Sequence, residues 1–274
     1  MTITTDDGLQ LHIQHWPASA PARGQVLICH GLGEHILRYA HVAAALNAAG
    51  WDVHGWDHRG HGRSQGRKGD IPDPDALLRD TARVIDAVRK PGSPFVLLGH
   101  SMGGLVAARF AAEALSAQPA AWSRPLDGLV LSSPALDPGL SGGQKVLLAI
   151  ASTLAPGVAV SNGLKPEWIS RDPAVVKAYA TDPLVHDRIT ARLTRFIVDS
   201  GAFVIAAAPR WKQNTLLMWA GADRCVSPRG SEAFAAGAPA NVVATKPWDG
   251  FSHEIFNEPE KEQVLATLTE WLNR

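Results

Sequence analysis

Ten residues, Phe95 to Gly104 (FVLLGHSMGG), limit the folds open to this chain more than any other stretch. An apolar run of strand character meets Gly-His-Ser-Met-Gly, and a helical pattern through Leu105, Val106 and Phe110 follows at once. Gly-x-Ser-x-Gly carries chemical meaning only in such a strand–turn–helix setting, where a sharp turn crowds the backbone around its central residue. Gly99 and Gly103 remove the side chains that would collide, which leaves Ser101 exposed at the end of a sheet. An incidental serine in a strand–helix turn would give the same letters. The question is whether the chain also supplies a base, an acid and donors for a negative oxygen.

The surrounding pattern puts that turn in an alternating sheet. Thr2–Thr5 and Leu9–Trp16 flank Asp6-Asp7-Gly8 and read as a hairpin. After an Ala- and Pro-rich loop over 17–24, Gln25–Cys29 is a short apolar run suited to a strand buried on both faces. A helix over Ala40–Ala49, a strand over Trp51–Trp56, a Gly- and Arg-rich loop over Asp57–Gly69 and a helix over Asp75–Arg89 follow. Next come the strand Pro94–Leu98, the turn at Ser101, a helix to about Ala117 and the strand Leu126–Ser132. This order predicts an α/β fold with a mostly parallel sheet and helices on both faces.

Alternation breaks between about Pro138 and Pro209, where Val146–Leu154, Asp172–Tyr179 and Asp187–Ile205 read as helices. Residues 1–137 and 210–274 are therefore expected to form the core, and 138–209 a helical cap over the strands' C-terminal edge, where such sheets bind ligands. The strand Thr215–Ala220, a helix near Ser231–Ala236, the strand Asn241–Lys246 and a last helix complete the order. In that helix Val264, Leu265, Leu268, Trp271 and Leu272 share one face.

A serine hydroxyl needs a base to take its proton, and the base needs a partner to hold its tautomer. Of eleven histidines, only His186 and His253 follow Ser101. His186 falls in the cap and His253 after the last strand, so order and placement select His253. The acid should follow the penultimate strand, and LLMWAGAD ends in Asp223 there. Asp249 shares the histidine's loop, and Asp182, Asp187 and Asp199 read as surface or capping residues of the cap. Backbone N–H groups should hold the developing oxyanion: Met102, following the nucleophile, and Leu32, where Val26–Cys29 runs into HGLGEH.

At this point the chain resembles the monoacylglycerol lipase and lysophospholipase branch of the serine α/β-hydrolases. The similar pieces are HGLGEH (His30–His35), GWDHRGHGRSQGRKG (Gly55–Gly69), GHSMGG (Gly99–Gly104), ISRDP (Ile169–Pro173), DPLV (Asp182–Val185), GADRCVSP (Gly221–Pro228) and SHEIFNE (Ser252–Glu258). The resemblance implies a serine esterase acting on monoacylglycerols or similar single-chain esters, with the same triad and the same two donors. Leu32 stands where a smaller residue is often found, and similarity is weakest around Ser141–Asn162. Lysophospholipase, general carboxylesterase, aminopeptidase and acyltransferase are the catalytic alternatives, and a non-catalytic binding module is the alternative from another class. Serine at 101 disfavours the carboxylate-nucleophile chemistries found on similar folds.

Composition closes other routes. Lys+Arg and Asp+Glu both number 26, so no net field draws the chain to nucleic acid or anionic lipid. Cys29 and Cys225 form no disulfide framework, and no cluster has metal-ligand spacing, so neither cofactor nor metal is expected. The N-terminus lacks the basic and apolar segments of a signal peptide, and no apolar run approaches about 18 residues; a soluble, cytoplasmic protein is expected. The apolar segment Lys145–Val160 is expected to wall an acyl pocket, with at most weak peripheral membrane contact. The basic loop of His58, Arg59, His61, Arg63, Arg67 and Lys68 reads as structural rather than phosphate-binding, and Cys225 as a bystander thiol.

Overall fold

A computed structural model describes residues 1–19 and 21–274, without the side chain of Lys145; residue 20, in the expected loop over 17–24, lies outside the described residues. Strands β1 (Thr2–Thr4) and β2 (Gln10–Trp16) pair antiparallel, as the turn at Asp6-Asp7-Gly8 requires, with Gly8 at φ +86°. Then follow β3 (Gly24–Cys29), α1 (Ala40–Ala48), β4 (Trp51–Trp56), α2 (Ala76–Val88), β5 (Phe95–His100), α3 (Ser101–Ala112) and β6 (Gly128–Ser132). The chain continues with α4 (Gly142–Leu154), β7 (Ala159–Ser161), α5 (Pro173–Thr181), β8 (Arg188–Thr190) and α6 (Ala191–Ala207). It closes with β9 (Thr215–Ala220), α7 (Pro228–Gly237), β10 (Val243–Trp248) and α8 (Lys261–Leu272).

Eight strands form one sheet in the order β1-β2-β4-β3-β5-β6-β9-β10, parallel from β4 onward and antiparallel where β2 meets β1 and β4. The strands β3, β5, β6 and β9 are buried along their whole length, the reason they read as continuous apolar runs. One sheet face packs Leu27, Leu97, Leu129 and Leu217 against α2, α3, α6 and α7. The other packs Val26, Val96, Leu98 and Met218 against α1 and α8.

The structure differs from the sequence expectations mainly at element ends. The helix after Ser101 stops at Ala112 and relaxes into a single 3₁₀ turn, Glu113–Leu115. The last strand runs two residues further, through Pro247, which only an edge strand tolerates. The helix expected from Asp187 starts at Ala191, because Thr190 caps it by accepting the Leu193 N–H; Arg188–Thr190 instead pairs antiparallel with Ala159–Ser161. Between β6 and β9 the chain is not uniformly peripheral. The helix α6 buries Leu193, Phe196, Ile197 and Val204 in the main core, and Gly201 lies so close to the Leu136 carbonyl that a Cβ would stand 2.2 Å from it.

Candidate active site

The strand β5 delivers the chain to Ser101 and α3 leaves from it, with Ser101 at φ +54°. A non-glycine residue in that region costs on the order of 1–3 kcal/mol and persists only where packing enforces it. Packing does so here: a Cβ on Gly99 would lie 2.3 Å from the Gly103 carbonyl oxygen, and one on Gly103 2.2 Å from that of Cys29. Both glycines are thus required by backbone-to-backbone contact, and the serine is the residue pushed outward.

His253, in the loop after β10, places Nε2 2.8 Å from Ser101 Oγ and Nδ1 2.6 Å from Asp223 Oδ2. Asp223, just beyond β9, accepts the Cys225 and Val226 N–H groups on its other oxygen at 2.8 and 3.0 Å, which fixes its plane. Burial opposes charge on Asp223, but His253 and those two amides outweigh it and hold the carboxyl below its ordinary value. Burial likewise opposes charge on His253, and the Asp223 carboxylate outweighs it, raising the imidazole pKa above its ordinary value. A base so held accepts the serine proton on Nε2 and keeps the resulting charge beside an anion. His100 lies under His253 with ring centroids 4.7 Å apart; burial pushes it down to about 4, so it contributes packing without a second positive charge.

The loop after β3 arrives on the other side of the serine. An added Cβ on Gly31 would lie 3.1 Å from Ser101 Cβ, and Leu32 lines the same cavity. Among the described residues the Leu32 N–H donates to no protein acceptor, and Met102 sits in the first turn of α3, where helix geometry leaves N–H groups without partners. The positions flanking Leu32 are pinned. Gly31 N–H donates to Glu34 at 2.6 Å, and the Gly33 carbonyl accepts the His186 N–H at 2.9 Å. Glu34 also accepts from the Tyr39 hydroxyl and from Arg38, and Arg38 in turn forms a two-bond contact with Glu254. Sequence reasoning passed over this Glu34–Arg38–Glu254 set. The pieces HGLGEH and SHEIFNE supply Glu34 and Glu254, but nothing in their spacing ties either carboxylate to Arg38.

Above Ser101 opens a cavity of about 430 Å³, walled by Leu164, Pro166, Ile169, Tyr179 and Val185 from the segment between β6 and β9, with Asn162 and Asp182 among its polar groups. Of residues 145–160, expected as the pocket wall, none from 146 to 160 is in its lining; Val146, Leu147, Ile150 and Leu154 instead face outward. Carboxylates expected at the cap surface do reach the cavity, but they are engaged: Asp182 bonds His35 at 2.8 Å, and Asp187 lies 3.3 Å from Arg188. Cys225 lines the cavity too, and burial pushes its thiol up, so it is not a competing nucleophile. Asp223, Cys225 and His253 lie close enough to share a cation, yet the first and last already satisfy each other. In the basic loop after β4, Asp57 accepts the Ile36 and Arg63 N–H groups, and Arg59 pairs with Asp7 and Asp80.

Residues 20–260 match the family described as serine aminopeptidase, S33. The chain belongs to that family. A monoacylglycerol lipase of Mycolicibacterium smegmatis is 35% identical over 97% of this chain and 93% of its own. A phospholipase of Bacillus subtilis is 30% identical over 91% of this chain and 95% of its own. The crystal structure of the Paleococcus ferrophilus monoacylglycerol lipase superposes with a TM-score of 0.84 at 34% identity, covering 96% of this chain and 98% of that one. The sheet is therefore that of an α/β-hydrolase, and the chain groups with the monoacylglycerol lipases, as its sequence pieces indicate.

Proposed function

We propose that this protein is a carboxylic ester hydrolase that cleaves monoacylglycerols or similar lipophilic single-chain esters through an acyl-enzyme on Ser101. The observation that carries this is the continuous Ser101–His253–Asp223 hydrogen-bond chain at the floor of the cavity. Ser101 Oγ attacks the ester carbonyl while His253 Nε2 takes its proton. The tetrahedral oxyanion is held by the N–H groups of Leu32 and Met102, each contributing on the order of 3 kcal/mol. Collapse expels the alcohol, which leaves with the proton from His253; water then repeats the sequence and releases the acid. Residues 138–209 act as the cap that shapes the acyl site, and α4 gives the cap a lipid-facing side. The free thiols of Cys29 and Cys225 fit a reducing, cytoplasmic setting. No helix among the described residues is long and apolar enough to cross a membrane.

Lysophospholipase activity is the second reading, favoured by the similarity to the Bacillus phospholipase. An aminopeptidase would need a free carboxylate for the substrate amine, and of the cavity's carboxylates Glu34, Asp182 and Glu254 are paired while Asp187 lies 3.3 Å from Arg188. Rates across monoacylglycerols of increasing chain length, lysophosphatidylcholine and an aminoacyl arylamide separate the three. We expect the acylglycerols to be fastest, and Ser101→Ala to lose both turnover and labelling by a serine-directed phosphonate. Undiminished esterase activity in Ser101→Ala would sink the assignment.

A further inference from the structure

At the junction of β2 and β4, three side chains meet that ester hydrolysis does not use. His15 and His54 are directly paired across the antiparallel strands, and Asp52 precedes His54 by two residues, so strand alternation turns all three to one face. The imidazoles stack with centroids 4.0 Å apart. His15 Nε2 stands 2.9 Å from Asp52 Oδ1, and His54 Nε2 is 3.5 Å from Asp52 Oδ2. One donor atom from each residue falls within a sphere of contacts no wider than 4.8 Å. His54 is 6% exposed, and among the described residues neither of its ring nitrogens has a hydrogen-bond partner. A buried imidazole left in that state is uncommon and calls for a ligand.

We propose that His15, Asp52 and His54 bind a divalent transition-metal cation of the zinc class, which ties β2 to β4. Two imidazoles and one carboxylate suit Zn²⁺ or its neighbours rather than Mg²⁺ or Ca²⁺, which take oxygen ligands. Three protein ligands leave a position for water, and the side-chain exposure of His15, 40%, gives that position access to solvent. Asp52 is oriented by the Ala18 N–H at 3.2 Å. The cation now on Asp52 is the Lys90 ammonium at 2.8 Å; its side chain is 61% exposed and can leave when metal enters. Coordination draws the three donor atoms to about 2.0–2.2 Å from one centre, so the rings rotate out of their stack. Asp52 lies near the start of β4, whereas Ser101 follows the end of β5, so the metal acts on the fold and not on the ester. The ligands escape a search for metal-binding spacing because 37 residues separate His15 from Asp52.

The test is calorimetric titration of untagged, chelator-stripped protein with ZnCl₂, alongside thermal melting. One saturable site is expected, with a rise in Tm of about 5 °C at saturating metal and no response to MgCl₂. His15→Ala, at an exposed position, should lose at least tenfold in affinity and the gain in Tm. Lys90→Ala should bind Zn²⁺ several-fold more tightly, since Asp52 loses its competing cation. Absence of saturable binding in the unmodified protein would overturn the proposal, as would equal affinity in His15→Ala. If that retained binding inhibits ester hydrolysis, the metal sits at Asp223 and His253 instead. Binding and melting are read without substrate, so failure here is distinct from failure of the esterase assignment.

Discussion

The carboxylate of Glu34 accepts the Gly31 N–H at 2.6 Å, one residue before Leu32, whose N–H is the proposed oxyanion donor. Burial opposes charge on Glu34, but Arg38 foremost, with the Tyr39 hydroxyl, brings its pKa down to about 2, so it is an anion at any working pH. A fixed anion at this place sets the plane of the His30–Gly31 peptide, directly before the peptide that carries the Leu32 N–H, and oxyanion donors act through such preorganisation. Glu34→Gln should therefore lower kcat roughly tenfold with little change in KM, because the contact it disturbs matters in the transition state. Arg38 keeps Glu254, which limits the structural damage. Steady-state kinetics on a soluble ester, with a melting curve as control, would check this; a pure KM effect would contradict it.

Gly103 tests the turn itself. Its Cβ position is occupied by the Cys29 and His30 carbonyl oxygens, at 2.2 and 2.4 Å, and backbone cannot step aside as a side chain can. Gly103→Ala should cost about 3 kcal/mol or more in urea unfolding, at the upper end of overpacking effects. Turnover should fall with it, since β3 carries the donor loop. A variant of unchanged stability would mean that the strand–helix contact yields to an added methyl group.

These two positions show what could be read in advance. The glycines around Ser101 announce the turn because their need is local: a bend of that sharpness admits few residues. Asp223 and His253 were legible through order, since each follows a strand of a parallel sheet whose C-terminal edge gathers loops. Glu34, Arg38 and Glu254 were not, because an ion pair spanning 216 residues leaves no periodic trace. Residues 145–160 misled for a physical reason. Apolar character alone does not say which way a side chain faces, and only the packing of α4 against α6 leaves Val146, Leu147, Ile150 and Leu154 exposed. The short pairing of β7 with β8 was hidden by the helical pattern that begins directly after it.

Acid should weaken the fold before it hydrolyses anything. His54, His100 and His186 are held down to about 4, and His58 and His61 well below their ordinary value, in each case first by burial. In the unfolded chain these imidazoles titrate near 6.5. Between the two values the unfolded state binds more protons, so their contribution is complete above about pH 6.5 and is lost as pH falls toward 4. His253, raised by Asp223, works in the opposite sense but is a single group. Urea midpoints should be flat from pH 8 to 7 and drop steadily from 6 to 4.5. An unchanged midpoint at pH 5 would show that the histidine cluster tolerates charge. Activity should fade earlier, since His253 must be neutral to accept the serine proton and its pKa lies above the ordinary imidazole value.

Helix α4 presents Val146, Leu147, Ile150 and Leu154 at 62, 65, 52 and 79% exposure, and Val158 and Val160 beyond it are exposed as well. Positions 146, 147, 150 and 154 fall on one helical face, so the strip is continuous. Exposed apolar side chains in such a continuous strip need a partner that is itself apolar. The strip lies on the segment whose Leu164, Ile169 and Val185 wall the cavity above Ser101, and it is expected to meet the surface of a lipid aggregate. Lys145 is the sole charged residue from 141 to 160, so attraction to anionic headgroups adds little. Co-sedimentation with neutral phosphatidylcholine vesicles should therefore persist at 0.5 M NaCl. Leu147→Ser combined with Ile150→Ser should leave stability within about 0.5 kcal/mol per site, because neither side chain is buried. The same pair should reduce vesicle binding and slow hydrolysis of vesicle-borne monoacylglycerol several-fold, while rates on a short soluble ester stay constant. Equal losses on both substrates would place these residues inside the catalytic path and end the interfacial account.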